Sequence, residues 1–144
     1  VGPHEPVVMN ELTHHGRTTA YRVADRGGAG SPVLFVHGSG GTHEVWKAQL
    51  GRFASERPVV ALDLSGHGES EDVSAEPGYE ALSAYVDDVV AVAEAVDADV
   101  LLGNSLGGAV VLTTLLERDL DVSNALLAGA GARLPVLDDL LRWV

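Results

Sequence analysis

Gly103-Asn104-Ser105-Leu106-Gly107 is a Gly-x-Ser-x-Gly run set directly between an apolar segment, "DVLLGN", and an apolar helical pattern, "LGGAVVLTTLLER". That spacing suits acyl-transfer chemistry. A serine on a sharp strand-to-helix turn presents its hydroxyl above a sheet, in a strained backbone conformation. The helix N-terminus beneath it favours developing negative charge. Gly103 and Gly107, two residues to either side, remove side chains that would collide in the turn, and Gly108 lets the helix pack close to the sheet. Ser105 is the candidate nucleophile, and a helix-capping serine is the plain alternative.

Two further loops leave apolar segments. In "VLFVHGSGG", residues 33–41, His37 and Gly38 lead into a glycine-rich turn that exposes backbone N–H groups, as an oxyanion requires. An ordinary glycine-rich connection is the alternative. A phosphate loop would want G-x-x-x-x-G-K-[ST], and no lysine stands here. Gly38, Gly40 and Gly41 also miss the spacing of a dinucleotide loop. In "DLSGHGES", residues 63–70, His67 sits in a turn that says little by itself.

The elements that must position these loops follow from periodicity. Residues 6–12 and 18–24 read as an antiparallel hairpin around the polar "THHGR". Val33 to Val36 is a continuous apolar run, as expected of a buried parallel strand. His43 to about Ser55 has a helical pattern with Val45, Trp46, Leu50 and Phe53 as its apolar residues. "VVALDL" after Pro58 is a second buried strand. Leu82, Tyr85, Val86, Val89, Ala93 and Val96 recur at three- and four-residue steps in a long helix. "DVLLGN" and "NALLAGAG" are further strands, and the helix between them is apolar enough to need cover on most sides. Strands alternating with helices after a hairpin give an α/β protein with a mostly parallel central sheet and flanking helices. Such sheets bind ligands beyond the carboxyl ends of their strands, where all three loops lie.

Composition narrows the partners. The 144 residues carry 21 acidic and 9 basic side chains, a formal net charge of −12, which disfavours nucleic acid and anionic membrane surfaces. The absence of cysteine excludes disulfides, thiolate metal sites and a cysteine nucleophile. No apolar run has the length of a membrane span, and the first residues do not read as a signal peptide, so a cytoplasmic location is expected. Lys47 is the only lysine. Such an acidic, lysine-poor surface fits a salt-adapted protein, although a GC-rich genome would leave the same mark.

The order "VLFVHGSGG … VVALDLSGHGES … LLGNSLGGAVV" closely resembles the α/β-hydrolase fold superfamily, and more narrowly its soluble esterases, thioesterases and C–C bond hydrolases. The resemblance implies that Ser105 is the nucleophile of an acyl-enzyme mechanism on a small acyl substrate. It also implies that the N–H groups of Leu106 and Ser39 are the oxyanion donors, with His37, Gly38, Gly103, Asn104 and Gly107 shaping the site. His67 would shape a nearby loop rather than act as the base, and no metal or organic cofactor is implied. Serine at the elbow argues against the dehalogenases and epoxide hydrolases of this fold, which use aspartate there.

The family's triad runs Ser, then Asp or Glu, then His. All six histidines (His4, His14, His15, His37, His43 and His67) precede Ser105. The expectation is therefore that residues 1–144 are the N-terminal part of one α/β-hydrolase domain, with 134–144 opening its cap and the acid and base lying beyond. Asp138 and Asp139 are poor substitutes for the acid, and His37 or His43 would be an improvised base. Leu134, Val136, Leu137, Leu140, Leu141 and Trp143 would form a patch prone to self-association. A non-catalytic module that binds a ligand or partner is the competing reading.

Overall fold

The computed structural model describes residues 8–128. Six strands and three helices follow one another as β1 (Asn10–His14), β2 (Arg17–Ala24), β3 (Val33–Val36), α1 (Lys47–Phe53), β4 (Val59–Leu62), α2 (Tyr79–Val96), β5 (Val100–Asn104), α3 (Leu106–Glu117) and β6 (Asn124–Ala128). They build one sheet in the order β1-β2-β4-β3-β5-β6. β1 and β2 pair antiparallel with each other, and β2 pairs antiparallel with β4. The remaining pairs are parallel. The expected mostly parallel α/β architecture is the one observed.

The all-apolar strands β3 and β4 take the centre because both their faces are covered. Their side chains divide with period two. Leu34, Val36, Val60 and Leu62 pack with α2 and α3 residues such as Val86, Val89 and Val110, while Val33, Phe35, Val59 and Ala61 pack with Trp46 and Leu50. The chain leaves β3 for α1 on one face, and leaves β5 for α3 on the other. β3 and β5 are neighbours, and the region beyond their carboxyl ends, where the chain turns to opposite faces, is the usual ligand position in such sheets.

Several boundaries differ from the sequence expectation. The first hairpin strand runs Asn10–His14 rather than 6–12, and a two-residue turn with positive φ at His15 and Gly16 closes the hairpin. The expected helix from His43 to Ser55 is a 3₁₀ turn, His43–Trp46, followed by the short α1. Three residues per turn rotates Val45 out of the face that Trp46 and Leu50 share, and it is 54% exposed. β4 ends at Leu62, so Asp63 and Leu64 belong to the following loop. Helix α3 is buried along its first turns but exposes Leu115 and Leu116, and β6 exposes Leu126 and Leu127. The segments holding Asp138, Asp139 and the expected 134–144 patch lie outside the described residues. No helix among the described residues is long and apolar enough to cross a membrane.

One buried polar cluster ties the hairpin to the helical layer. The fully buried Asp88 on α2 accepts from the Arg17 guanidinium at 2.9 and 3.3 Å, from the Ser65 N–H at 2.8 Å and from the Thr19 hydroxyl at 3.4 Å. His14 Nε2 lies 3.2 Å away. Burial pushes the Asp88 carboxyl above the ordinary carboxylate range, against the pull of the Ser65 N–H and of Arg17. Asp88→Ala strands the Arg17 guanidinium in the interior without its carboxylate, leaving it the Ala84 carbonyl alone at 2.9 Å. It should cost about 3–5 kcal/mol, read as a lowered urea midpoint. An unchanged midpoint would show that the cluster holds nothing together.

Candidate functional site

Ser105 stands between the last residue of β5 and the first of α3, with φ +57° and ψ −118°. A non-glycine residue in that region carries strain of about 1–3 kcal/mol and persists only where its surroundings impose it. Here they do. Gly107 is pressed against β3 so closely that an added methyl group would overlap the Val36 carbonyl. A methyl group on Gly103 would overlap the Gly107 carbonyl in the same way. The turn is thus clamped between two parallel strands and the helix that it opens. The carbonyl of Ser105 starts α3 by accepting the Gly108 N–H at 2.9 Å.

The glycine loop after β3 faces this turn. A methyl group on Gly38 would lie 3.3 Å from the Asn104 carbonyl oxygen, 3.4 Å from Ser105 Cβ and 3.9 Å from Ser105 Oγ. Gly38 therefore adjoins the serine hydroxyl. Among the described residues, Ser105 Oγ and the N–H groups of Ser39 and Leu106 make no hydrogen bond. The loop and the elbow named from sequence are brought together, with two backbone donors and one hydroxyl left unengaged. Unengaged backbone N–H groups are able to donate to an oxygen on which negative charge forms.

The nearby histidines are committed elsewhere. His37 is fully buried; its Nε2 accepts the Leu64 N–H at 3.0 Å, and its Nδ1–H therefore donates to the Gly38 carbonyl at 2.7 Å. Burial holds it below the usual histidine range. With both ring nitrogens engaged, His37 has none free to take a proton from Ser105. His67 follows the same pattern, accepting the Gly40 N–H at Nε2, 3.2 Å, and donating from Nδ1 to the Ser65 carbonyl, 3.0 Å. His43 donates both its backbone N–H, at 2.7 Å, and its Nδ1–H, at 2.9 Å, to Asp63 Oδ1.

Sequence reasoning missed Asp63, which is fully buried just after β4 and also accepts the Glu69 N–H at 3.0 Å. Its signal was there to read: a carboxylate ending an apolar strand, "VVALDL", needs donors at once. No group of three or more His, Asp or Glu among the described residues is placed to hold a metal ion.

The chain is similar to proteins of known and unknown activity. The chain is 33% identical over 119 residues to 2-hydroxymuconate semialdehyde hydrolase of Pseudomonas sp. strain CF600, covering 78% of this chain and 41% of that one. It is 29% identical over 126 residues to the uncharacterized protein Rv2715 of Mycobacterium tuberculosis, covering 88% and 36%. Among solved structures, that of Est816, described as an N-acyl homoserine lactone degrading enzyme, superposes with a TM-score of 0.71 at 28% identity, over 82% of this chain and 44% of that one. The chain thus spans less than half the length of each of these proteins. The sequence profile of the alpha/beta hydrolase family matches residues 33–144, a stretch that takes in all three strand-end loops, with the strained serine in the third. The chain belongs to the alpha/beta hydrolase family.

Proposed function

We propose that this chain carries the nucleophile and oxyanion-binding part of a serine hydrolase that acts on a small ester, thioester or other activated carbonyl compound. The observation that carries the reading is the backbone of Ser105, held at φ +57° with its hydroxyl unengaged and against Gly38. Hydrolase relatives support the reaction class. Ser105 Oγ attacks the carbonyl carbon, and the carbonyl π electrons move onto oxygen. The Ser39 and Leu106 N–H groups donate to that oxyanion. Collapse expels the alcohol or thiol and leaves an acyl-serine, which water then hydrolyses.

Attack requires a base to take the serine proton. His37 is already bonded through both nitrogens and His43 is bound through Nδ1 to Asp63, away from Ser105 Oγ, which makes no hydrogen bond; the proposal places the histidine and its acid partner in the part of the relatives' length that residues 1–144 do not span. His37, Gly38, Gly103, Asn104 and Gly107 shape the site and take no part in proton transfer. The acyl substrate, a cytoplasmic location and a salt-adapted surface belong to the same proposal. A non-catalytic binding module remains the competing reading, and labelling separates the two.

Without an imidazole beside it, Ser105 should react slowly with a fluorophosphonate probe, and Ser105→Ala should abolish the adduct seen by intact mass. Esterase turnover by residues 1–144 should not exceed the roughly 10³–10⁴-fold over water that oxyanion binding supplies alone. Adding the C-terminal portion of a relative, fused or as a second chain, should make labelling fast. Brisk Ser105-dependent hydrolysis by residues 1–144 would show instead that the base lies within them. A chain that stays unlabelled even when extended would favour the binding module.

The glycine loop also depends on a neutral His37. Its folded-state pKa lies below the ordinary value, so its stabilisation is complete above about pH 6.5 and is lost as pH falls through the window below that value. The urea midpoint of the wild type should fall across that window. His37→Asn, which cannot take up a proton there, should show a shallower fall. Parallel curves for the two chains would remove His37 as the cause.

A further inference from the structure

Ser39 sits in a loop with glycine at 38, 40 and 41, a backbone with little intrinsic preference for any one conformation. A donor carried on such a loop is aimed only as well as the two peptide planes beside it are held. The plane before Ser39 contains the Gly38 carbonyl, which accepts from His37 Nδ1 at 2.7 Å and from the Gly41 N–H at 3.0 Å. A trans peptide points its N–H opposite to its carbonyl, so fixing that oxygen also fixes the direction of the Ser39 N–H. The plane after Ser39 contains the Gly40 N–H, whose acceptor is His67 Nε2 at 3.2 Å.

The His67 ring is itself braced. Its Nδ1–H is tied to the Ser65 carbonyl, its ring centre lies 4.9 Å from that of His37 with the planes tilted by 50°, and Tyr85 of α2 meets it edge-on at 6.0 Å. Both rings accept a backbone N–H at Nε2 and donate to a backbone carbonyl from Nδ1, so each is held in one neutral tautomer.

We propose that His67 is a positioning residue for the Ser39 N–H: by accepting the Gly40 N–H it locks the second peptide plane flanking Ser39, as His37 locks the first. This rests on Ser105 and Ser39 serving as nucleophile and oxyanion donor. His67 touches no substrate. It couples the chain leaving β4 to the chain leaving β3, and it does so through a side chain that phenylalanine could replace in shape but not in hydrogen bonding.

Two measurements test it. The first is amide hydrogen exchange at Gly40 in the wild type, His67→Phe and His67→Gln. The Phe variant keeps a ring against His37 and Tyr85 but offers no acceptor, and Gly40 exchange should rise at least about tenfold. The Gln variant returns an oxygen acceptor at the Nε2 position and should recover much of the protection. The second is binding of phenylboronic acid, in which Ser105 Oγ bonds to boron, the hydroxyl proton passes to water, and the adduct becomes a tetrahedral anion. Affinity should fall about tenfold in His67→Phe at unchanged thermal midpoint and recover in His67→Gln.

Equal Gly40 exchange in the wild type and the Phe variant overturns the proposal, as does equal boronate affinity. Boronate binding that survives Ser105→Ala would instead remove the nucleophile reading, while Gly40 exchange would still decide whether His67 holds the loop. If the Phe variant does not fold, His67→Gln against wild type decides: a Gln chain with unprotected Gly40 and wild-type boronate affinity also overturns it.

Discussion

The contact on which the rest of the site depends is backbone against backbone: Gly107 on the Val36 and His37 carbonyls, and Gly103 on Gly107. Helix α3 approaches β3 and β5 so closely there that no side chain fits between them. This approach forces the chain to reverse within one residue as it leaves β5, and Ser105 takes the strained conformation that reversal needs. The strain is offset by the burial that α3 secures through Ala109, Val110 and Val111 in the interior. A larger residue at either glycine would lift the helix, relax the serine and separate its hydroxyl from Gly38.

How much of this was legible in the sequence depended on whether the information was local. Val33–Val36 and the Gly-x-Ser-x-Gly run state their local structure within a few residues, and the strand and the strand-to-helix turn both stand where expected. The first hairpin strand was misplaced because an edge strand with exposed Asn10 and Glu11 carries little hydrophobic signal. The helical pattern expected from His43 opens instead as a 3₁₀ turn, a difference of winding that a short apolar spacing does not encode. Partners distant in sequence were invisible. Arg17 looked like part of a polar turn, and nothing near it announced Asp88, 71 residues later. The same holds for His67 and Gly40, whose hydrogen bond exists only because β3 and β4 are neighbours.

Around the elbow, buried polar groups do the orienting that apolar packing cannot. Asp63 gathers the N–H groups of His43 and Glu69 and the His43 ring, so the segments after β3 and β4 end on one carboxylate. Asp88 gathers the hairpin, α2 and the loop at Ser65 on another. Each carboxylate is fully buried, and each is satisfied by donors from more than one element. Hydrophobic contacts hold the layers together but are indifferent to small rotations. Directional bonds to a shared acceptor are not, and they converge on the loops that face Ser105.

The ladder between β3 and β5 pairs Phe35 with Leu102 and Val36 with Gly103, so register aligns the strand ends from which the two halves of the site emerge. Register changes only in whole residues, about 3.3 Å at a time, and a single step turns every side chain of a strand to the opposite face. The offset between the strand ends at Val36 and Gly103 is therefore quantised. Small thermal perturbations of the core have no continuous path by which to slide one end along the other, and a slip large enough to do so would have to exchange the two apolar layers of the sheet.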